Sequence, residues 1–168
     1  VTVIDISLPR LRELEHRYGG ALETRASSRY DIAEELATAD LVIGSVLIPG
    51  AAAPKLVTDD MVAGMKAGSV LVDIAIDQGG CFEGSRPTTH DDPTFAVHDS
   101  IYYCVANMPG AVPETATRAL TNATLPYVSA IAGKGWAQAS ADDASLAKGL
   151  NVQGGRITLD AVARAHGL

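Results

Sequence analysis

Short apolar runs alternate with amphipathic stretches through the first half of the chain. Four of these runs are predicted strands: residues 1–6, 21–25, 41–46 and 69–75. Ser7, Ser28 and Thr58 stand where each can cap a helix between two strands. Because strand and helix alternate, the pattern predicts parallel crossovers. The expected fold class is therefore α/β, with a doubly wound parallel sheet.

The regular alternation stops in the second half of the chain. Residues 77–93 are polar, and residues 95–105 include one further strand, in which His98 occupies an alternating position. Pro113 suits the first turn of a long helix that ends near Ala132. The remaining elements are predicted as a helix over residues 144–150, a strand over 152–158 and a helix over 159–166. We therefore predict a sheet domain over residues 1–112 and a helical C-terminal part over residues 113–168.

Composition and charge narrow the classes of partner. The net charge is -7 and the pI is near 4.9, so the chain has no basic surface for nucleic acid or an anionic membrane. No run approaches the ~20 apolar residues that span a bilayer, and the first residues do not resemble a signal peptide. Cys81 and Cys104 lack the spacing of metal ligands, so no metal site is expected. We expect a cytoplasmic protein that acts on a small molecule.

Asp5 ends the first predicted strand and comes directly before a capped helix. In an NAD-binding sheet, an acidic side chain at this place accepts hydrogen bonds from the adenosine ribose. The alternative is an ordinary polar strand end. The loop of residues 44–50 leaves another strand at the same edge of the sheet, where it either contacts a cofactor or only connects two elements.

Residues 73–80 place two carboxylates around a strand end and follow them with two glycines. Glycines let the backbone approach a ligand closely or adopt positive φ. Asp73 lies inside the apolar run and is expected to be structural, bonded to nearby backbone donors. Asp77 lies at the exit of the strand, where it either contacts a substrate or forms a turn. His98 is expected to be packed rather than to transfer protons.

Several stretches resemble NAD-dependent alanine dehydrogenase, a family of the alanine dehydrogenase and pyridine nucleotide transhydrogenase superfamily. They are residues 41–44, 53–57, 69–83, 104–109, 119–124 and 146–150. The resemblance implies reversible oxidative deamination of L-alanine to pyruvate and ammonia, with hydride passing to NAD. It also implies a Rossmann-like doubly wound sheet without its first strand, followed by a long helix and a C-terminal appendage. Residues 1–112 would then be an incomplete NAD-binding domain, and residues 113–168 a connecting helix with part of the substrate domain.

The resemblance also implies roles for individual residues along the dinucleotide. Asp5 would hold the adenosine ribose, Arg10 would lie near it, and Ser27 would contact the adenine side. Val46 and Leu47 would line the dinucleotide.

At the other end of the cofactor, the resemblance implies a nicotinamide pocket. The residues expected to face the nicotinamide ring are Ile74, Ala75, Ile76 and Asp77. Asp77 would also be the catalytic carboxylate beside the substrate. Asn107 and Met108 would complete the pocket.

The glycine-rich loop, the first strand and the N-terminal substrate domain of the family have no counterpart in the chain. In the family, that domain supplies the acid/base histidine and the side chains that bind substrate. We therefore expect the 168 residues to be a C-terminal fragment that is inactive alone. Two alternatives stay open: a stand-alone nucleotide-binding or assembly module without catalysis, and the nucleotide-binding component of a transhydrogenase. A homo-oligomer is the expected assembly, since the family assembles into oligomers and a missing first strand would leave two sheet edges exposed.

Overall fold

The computed structural model describes residues 1–46, 48 and 52–167 and divides them into two compact units. The first unit holds the described residues of 1–47 and 53–106, and the second holds those of 48–52 and 107–168. The strands of the first unit are β1 Thr2–Asp5, β2 Glu23–Ala26, β3 Leu41–Gly44, β4 Val70–Asp73, β5 Thr94–Val97 and β6 Ser100–Tyr103. Its α-helices are α1 Leu8–Tyr18, α2 Arg29–Leu36 and α3 Asp59–Ala63.

Two sheets form the first unit. One is the parallel pair β1–β2, and the other has the order β3-β4-β6-β5. Strand β3 pairs with β4 and β4 with β6, both in parallel, while β5 adds to β6 in the antiparallel direction. Within the described residues, β1 bonds only to β2 and β3 only to β4, so each has one edge without a strand neighbour. The predicted α/β class with parallel crossovers is confirmed.

Two of the three predicted N-caps are confirmed, and a glycine ends the first helix. The Ser7 hydroxyl accepts a hydrogen bond from the Arg10 backbone N–H, and the Ser28 hydroxyl accepts one from that of Asp31. Gly19 ends α1 in the left-handed conformation, with φ of 52°. The third predicted cap is different, because Thr58 precedes α3 but its hydroxyl makes no capping bond.

Residues 95–105 were predicted to include one strand with His98 at an alternating position inside it, and the placement of His98 in a strand was wrong. The structure has a hairpin there, and His98 lies in its turn with a left-handed φ of 51°. Its imidazole Nε2 lies 3.0 Å from the Asp59 carboxylate, and the side chain is 40% exposed, so His98 is not packed within a strand. An alternating apolar pattern continues through both arms of a tight hairpin, which is why periodicity alone hid the turn.

The core of the first unit lies between the four-stranded sheet and the segments that cover it. Leu71 from β4 and Tyr102 from β6 are fully buried, and the Phe82 ring meets the Tyr102 ring edge-on at 5.8 Å between centroids. Ile32 and Leu36 bring one face of α2 into the same cluster. This packing fixes the segment around Phe82 against the sheet.

The second unit is mostly helical. Its elements are α4 Pro113–Lys134, α5 Trp136–Asp142, α6 Ala144–Lys148, β7 Val152–Gln153, β8 Arg156–Ile157 and α7 Asp160–Ala165. Pro113 opens α4 as predicted, and the predicted strand over residues 152–158 is the short antiparallel hairpin β7–β8. No helix in the described part of the chain is both long and apolar enough to cross a membrane.

Candidate functional site

A cavity of about 340 Å³ opens at the carboxyl ends of β3 and β4. The two strands run in parallel with Gly44 opposite Asp73, so the segments that follow them leave the sheet side by side. The residues that line the cavity are Ser45, Val46, Ile74, Ala75, Asp77 and Gln78. In open parallel sheets this edge is where ligands bind.

A short 3-10 helix, Ile74–Gln78, forms one wall of the cavity. The Asp73 carboxylate caps it by accepting the Ala75 N–H at 3.1 Å, and Gly79 ends it with φ of 89°. Ile74 is 51% exposed and Asp77 is exposed, whereas Ile76 is buried in the core cluster. Of the four residues predicted to face a nicotinamide ring, Ile74, Ala75 and Asp77 therefore line the cavity and Ile76 anchors the wall from behind.

The carboxylate of Asp73 is fully buried and organises the segment behind that wall. Besides the Ala75 amide, it accepts the backbone N–H groups of Cys81 at 2.9 Å and Phe82 at 3.3 Å, and the hydroxyl of Ser85. A buried carboxylate is tolerated only when it is hydrogen-bonded in this way. The expectation that Asp73 is structural is confirmed.

Lys55 donates hydrogen bonds to backbone carbonyl groups of the same segment. Its ammonium donates to the backbone oxygens of Gly79 at 2.6 Å, Gly80 at 2.9 Å and Phe82 at 3.1 Å. The backbone of residues 53–57 follows the same segment, since the Ala53 N–H donates to the Gln78 oxygen at 2.9 Å. Charged groups thus hold residues 79–82, which directly follow the wall, through both their amide and their carbonyl groups.

Two glycines permit the close packing behind the cavity. A Cβ on Gly44 would lie 2.3 Å from the Cys81 sulfur and 2.7 Å from the Phe82 ring. A Cβ on Gly80 would lie 2.7 Å from Asp73 Oδ2, and Gly80 also has a left-handed φ of 75°. Neither position has room for a side chain.

Both cysteines of the chain are free thiols buried in this packing. Burial, followed by the charge of Asp73, raises the pKa of Cys81 to about 12. Burial likewise raises the pKa of Cys104. The nucleophilic form of a cysteine is the thiolate, so neither group is suited to covalent catalysis at neutral pH. In the described residues, no three His, Cys, Asp or Glu side chains gather as metal ligands would.

A second group of predicted residues lies at the carboxyl ends of β1 and β2. One oxygen of the Asp5 carboxylate accepts the Ser7 N–H at 2.7 Å, and the Ser27 N–H donates to the Asp5 backbone oxygen at 3.0 Å. Arg10, in the first turn of α1, pairs with Glu13 at 2.6 Å. Glu13 raises the pKa of Arg10, and the charge of Asp5 adds to this effect. Asp5, Ser27 and Arg10 are thus brought to one edge of the sheet.

Three predicted residues remain: Leu47, Asn107 and Met108. Leu47 lies outside the described residues. Asn107 and Met108 belong to the second unit, where Asn107 has a left-handed φ of 56° and Met108 begins a short 3-10 turn.

No individual role was predicted for three contributors to the site: Ser45 and Gln78, which line the cavity, and Lys55, which bonds to the segment behind its wall. Ser45 does lie in the loop of residues 44–50, which was predicted either to contact a cofactor or only to connect two elements. A polar side chain directly before the glycine pair was the available signal for Gln78. Lys55 lies in residues 53–57, one of the stretches that resemble the family, but neither its spacing nor the resemblance gave it a role.

Comparison with known proteins gives a consistent result over the whole chain. The model of the family "Alanine dehydrogenase/PNT, C-terminal domain" matches residues 1–160. The alanine dehydrogenase of Mycolicibacterium smegmatis is 62% identical over 98% of this chain, and that of Mycobacterium tuberculosis strain H37Rv is 57% identical over 100% of it. The chain covers 44% and 45% of these two proteins, so it spans less than half the length of the curated relatives it matches.

Solved structures agree with the sequence comparison. An L-alanine dehydrogenase matches 99% of this chain with a TM-score of 0.83 and 48% identity, and the match covers 46% of that chain. A transhydrogenase from Sinorhizobium meliloti matches 69% of this chain with a TM-score of 0.58 and 32% identity, over 32% of its own length. The similarity is thus greater, and extends further, for the L-alanine dehydrogenase structure.

Proposed function

The chain belongs to the alanine dehydrogenase/PNT C-terminal domain family, and from that premise we propose that it is the NAD-binding part of an alanine dehydrogenase. The proposed reaction of the whole protein is the reversible oxidative deamination of L-alanine to pyruvate and ammonia. The observation that carries the proposal is the cavity at the carboxyl ends of β3 and β4, with a carboxylate on a wall that is fixed from behind.

The residues at the two ends of the proposed site fit the two ends of NAD. Val46, Ile74 and Ala75 offer apolar contacts to a planar ring. Asp5 uses one carboxylate oxygen to fix its own turn, and we propose that its other oxygen accepts a hydrogen bond from a ribose hydroxyl. When bound, NAD would supply the hydride acceptor for the substrate. Arg10 and Ser27 would hold the adenosine end beside Asp5, and Leu47, Asn107 and Met108 keep their proposed contacts with the cofactor.

Asp77 is the residue for which we propose a catalytic role. Its carboxylate is exposed at the cavity, on a wall whose position is set by Asp73 and Lys55. A carboxylate so placed can accept hydrogen bonds from the ammonium of an amino acid and orient its α-carbon toward the cofactor. Ile76 would then support the catalytic wall through the core without contacting the ring.

The decisive experiment uses the protein expressed from the complete reading frame. We expect alanine-dependent formation of NADH, and we expect Asp77→Asn to lower kcat at least ~100-fold while NAD binding stays within about twofold. Asp60→Asn, an exposed carboxylate on α3, is the matched control and should retain full activity. An Asp77→Asn protein as active as Asp60→Asn would disprove the proposed role.

The nucleotide-binding component of a transhydrogenase is the second candidate function. The match to the Sinorhizobium meliloti transhydrogenase favours it, although the L-alanine dehydrogenase structure matches more of the chain at higher identity. Hydride transfer between two nicotinamide nucleotides, without oxidation of alanine, would establish this candidate. A protein that binds NAD and catalyses neither reaction would instead be a binding module.

We further propose that the whole protein assembles with copies of itself. Helix α4 carries no buried residue in this chain and exposes a series of large apolar side chains, among them Leu120, Leu125, Val128 and Ile131. Exposed apolar surface of this kind is typical of an interface. Light scattering of the complete protein tests the assembly.

We also propose that the protein lies in the cytoplasm, because two thiols that are both free and buried suit a reducing compartment.

A further inference from the structure

The ammonium of Lys55 lies among three backbone oxygens, which we call the carbonyl cage. They belong to Gly79, Gly80 and Phe82 and lie 2.6 Å, 2.9 Å and 3.1 Å from Nζ. An ammonium group has three N–H donors, so the carbonyl cage offers an acceptor to each of them. The carbonyl cage therefore has the composition of a cation site, and the side chain of Lys55 fills it.

The backbone partners of Lys55 distinguish it from lysines that form ion pairs. Lys66 and Lys134 each bond to one carboxylate, and both side chains are about half exposed. An exposed pair of this kind restrains the chain little, because solvent screens it. Lys55 instead connects residues that are 24 to 27 positions apart in the sequence. It thus joins the chain before α3 to the turn that follows the cavity wall.

The two glycines of the carbonyl cage connect Lys55 to the 3-10 helix of the cavity wall. Their φ angles are 89° and 75°, in the left-handed region that glycine adopts readily. The Gly79 N–H donates to the Ile76 oxygen at 3.0 Å. The Gly80 N–H donates to the Ala75 oxygen, also at 3.0 Å. Each glycine therefore bonds to the helix through its N–H and to Lys55 through its C=O.

Asp77 belongs to the same 3-10 helix, and its exposed side chain lines the cavity. Close packing does not hold an exposed side chain. The position of the Asp77 carboxylate therefore depends on the backbone that carries it, and that backbone is the part of the chain to which the glycines bond.

We propose that the carbonyl cage is a cation site through which Lys55 acts as a positioning residue for Asp77. The ammonium fixes the two glycines, and the glycines fix the helix that presents the carboxylate to the substrate. In this role Lys55 touches neither the cofactor nor the substrate. The inference rests on the proposed function, in which the Asp77 carboxylate orients the amino acid.

The first test is chemical rescue of Lys55→Ala in the protein expressed from the complete reading frame. Alanine keeps the β-carbon, so n-propylammonium supplies the three carbons and the ammonium that the substitution removes. The hydrogen bond to Gly79 is exposed to solvent, so the amine can reach the carbonyl cage. We expect kcat for alanine oxidation to fall about tenfold, with NAD affinity within about twofold of the wild type, and propylammonium to raise this kcat at least about threefold.

Two controls accompany the rescue. 1-Propanol has the same length as propylammonium but no charge, and it should restore nothing. Lys66→Ala removes an ammonium that bonds to a carboxylate, and this variant should keep full activity with or without the amine. A Lys55→Ala protein with the kcat of the wild type, or one that propylammonium does not restore, would overturn the inference.

A double-mutant cycle asks whether Lys55 acts through Asp77. In an Asp77→Asn background the carboxylate is already lost, so Lys55→Ala should lower kcat by less than about twofold further. A purely structural contribution of Lys55 would lower kcat by the same factor in both backgrounds, and that result would overturn the inference.

Amide hydrogen exchange tests the positioning without the reaction. Exchange at the Gly79 and Gly80 amides should be faster in Lys55→Ala than in the wild type, and propylammonium should slow it again. Unchanged exchange would overturn the inference, whatever the kinetics. Should the alanine variant not fold, Lys55→Met replaces it in the exchange experiment and in the cycle. A wild-type protein that binds NAD but does not oxidise alanine would reject the proposed reaction only, and exchange at the two glycines would still decide the role of Lys55.

Discussion

Lys55 and Asp73 hold the segment of residues 79–82 through its two kinds of backbone group, Lys55 through the carbonyls and Asp73 through the amides. The Lys55 ammonium bonds to the backbone oxygens of Gly79, Gly80 and Phe82, and the Asp73 carboxylate accepts the backbone N–H groups of Cys81 and Phe82. Because a cation binds the carbonyl groups and an anion binds the amide groups, the segment has little freedom to move. Because this segment adjoins the 3-10 helix that carries Asp77 and Gln78, the pair sets the geometry of the cavity wall.

Replacing Lys55 by methionine keeps most of the apolar stem and removes three charge-assisted hydrogen bonds. We expect Lys55→Met to lower the free energy of unfolding by about 1–2 kcal/mol, since the side chain is partly solvated. It should also speed amide hydrogen exchange over residues 79–82. Lys66→Met is the control, because Lys66 makes a single surface pair with Asp40 worth less than ~1 kcal/mol. Equal urea midpoints for the two variants would contradict the role of Lys55.

Asp73→Asn is expected to destabilise the protein by about 2–4 kcal/mol. Donors approach both oxygens of Asp73: the Ala75 amide and the Cys81 thiol on one side, and two amides with the Ser85 hydroxyl on the other. In either orientation, the asparagine NH₂ group would meet another donor. Urea unfolding measures the loss, and Asp60→Asn on the surface should stay within ~0.5 kcal/mol of the wild type. A loss no larger than that of the control would show that Asp73 does not organise the segment.

How much of this arrangement the sequence could predict depends on the range of the interactions. The four strands of the first half, the Ser7 and Ser28 caps and the role of Asp73 follow from local pattern, and the structure agrees with them. The bonds made by Lys55 join residues at least 24 positions apart, and no periodicity signals a contact of that kind. Residues 74 and 75 were predicted to continue a strand because they are apolar, yet Asp73 is also an acceptable helix cap, and the 3-10 helix begins there.

One further difference between prediction and structure is local. The hairpin turn at His98 lacks the Asn-Gly or Gly-rich sequence that marks a tight turn, so the run of alternating residues was read as one strand. The roles of Asp5, Arg10, Ser27, Asn107 and Met108 were implied by resemblance and stay predictions. The structure shows in addition that the Ser27 N–H donates a hydrogen bond to the Asp5 backbone oxygen at one edge of the sheet.

Gly44→Ala is expected to cost about 1–3 kcal/mol, because the new methyl group would overlap the Cys81 sulfur and the Phe82 ring. The cost should shrink when Phe82 is also changed to leucine, since the smaller side chain makes room. Gly64→Ala is the matched control, with an ordinary contact of 3.5 Å and no positive φ. A double-mutant cycle in urea measures the coupling. Additive effects of Gly44→Ala and Phe82→Leu would refute the proposed overlap.

The buried thiol of Cys81 predicts a loss of stability in alkaline solution. Its pKa rises from 9.0 to about 12 in the folded protein, because burial and then the charge of Asp73 oppose the thiolate. Between these two values the unfolded chain loses a proton that the folded chain keeps, so the unfolded state binds fewer protons and the free energy of unfolding falls as pH rises. Burial also raises the pKa of Cys104, which adds to the same trend. Urea midpoints measured across this window should decline less steeply for Cys81→Ala than for the wild type. An unchanged slope would mean that the Cys81 thiol does not titrate with unfolding, and that its packing against Asp73 is looser than the 3.5 Å contact indicates.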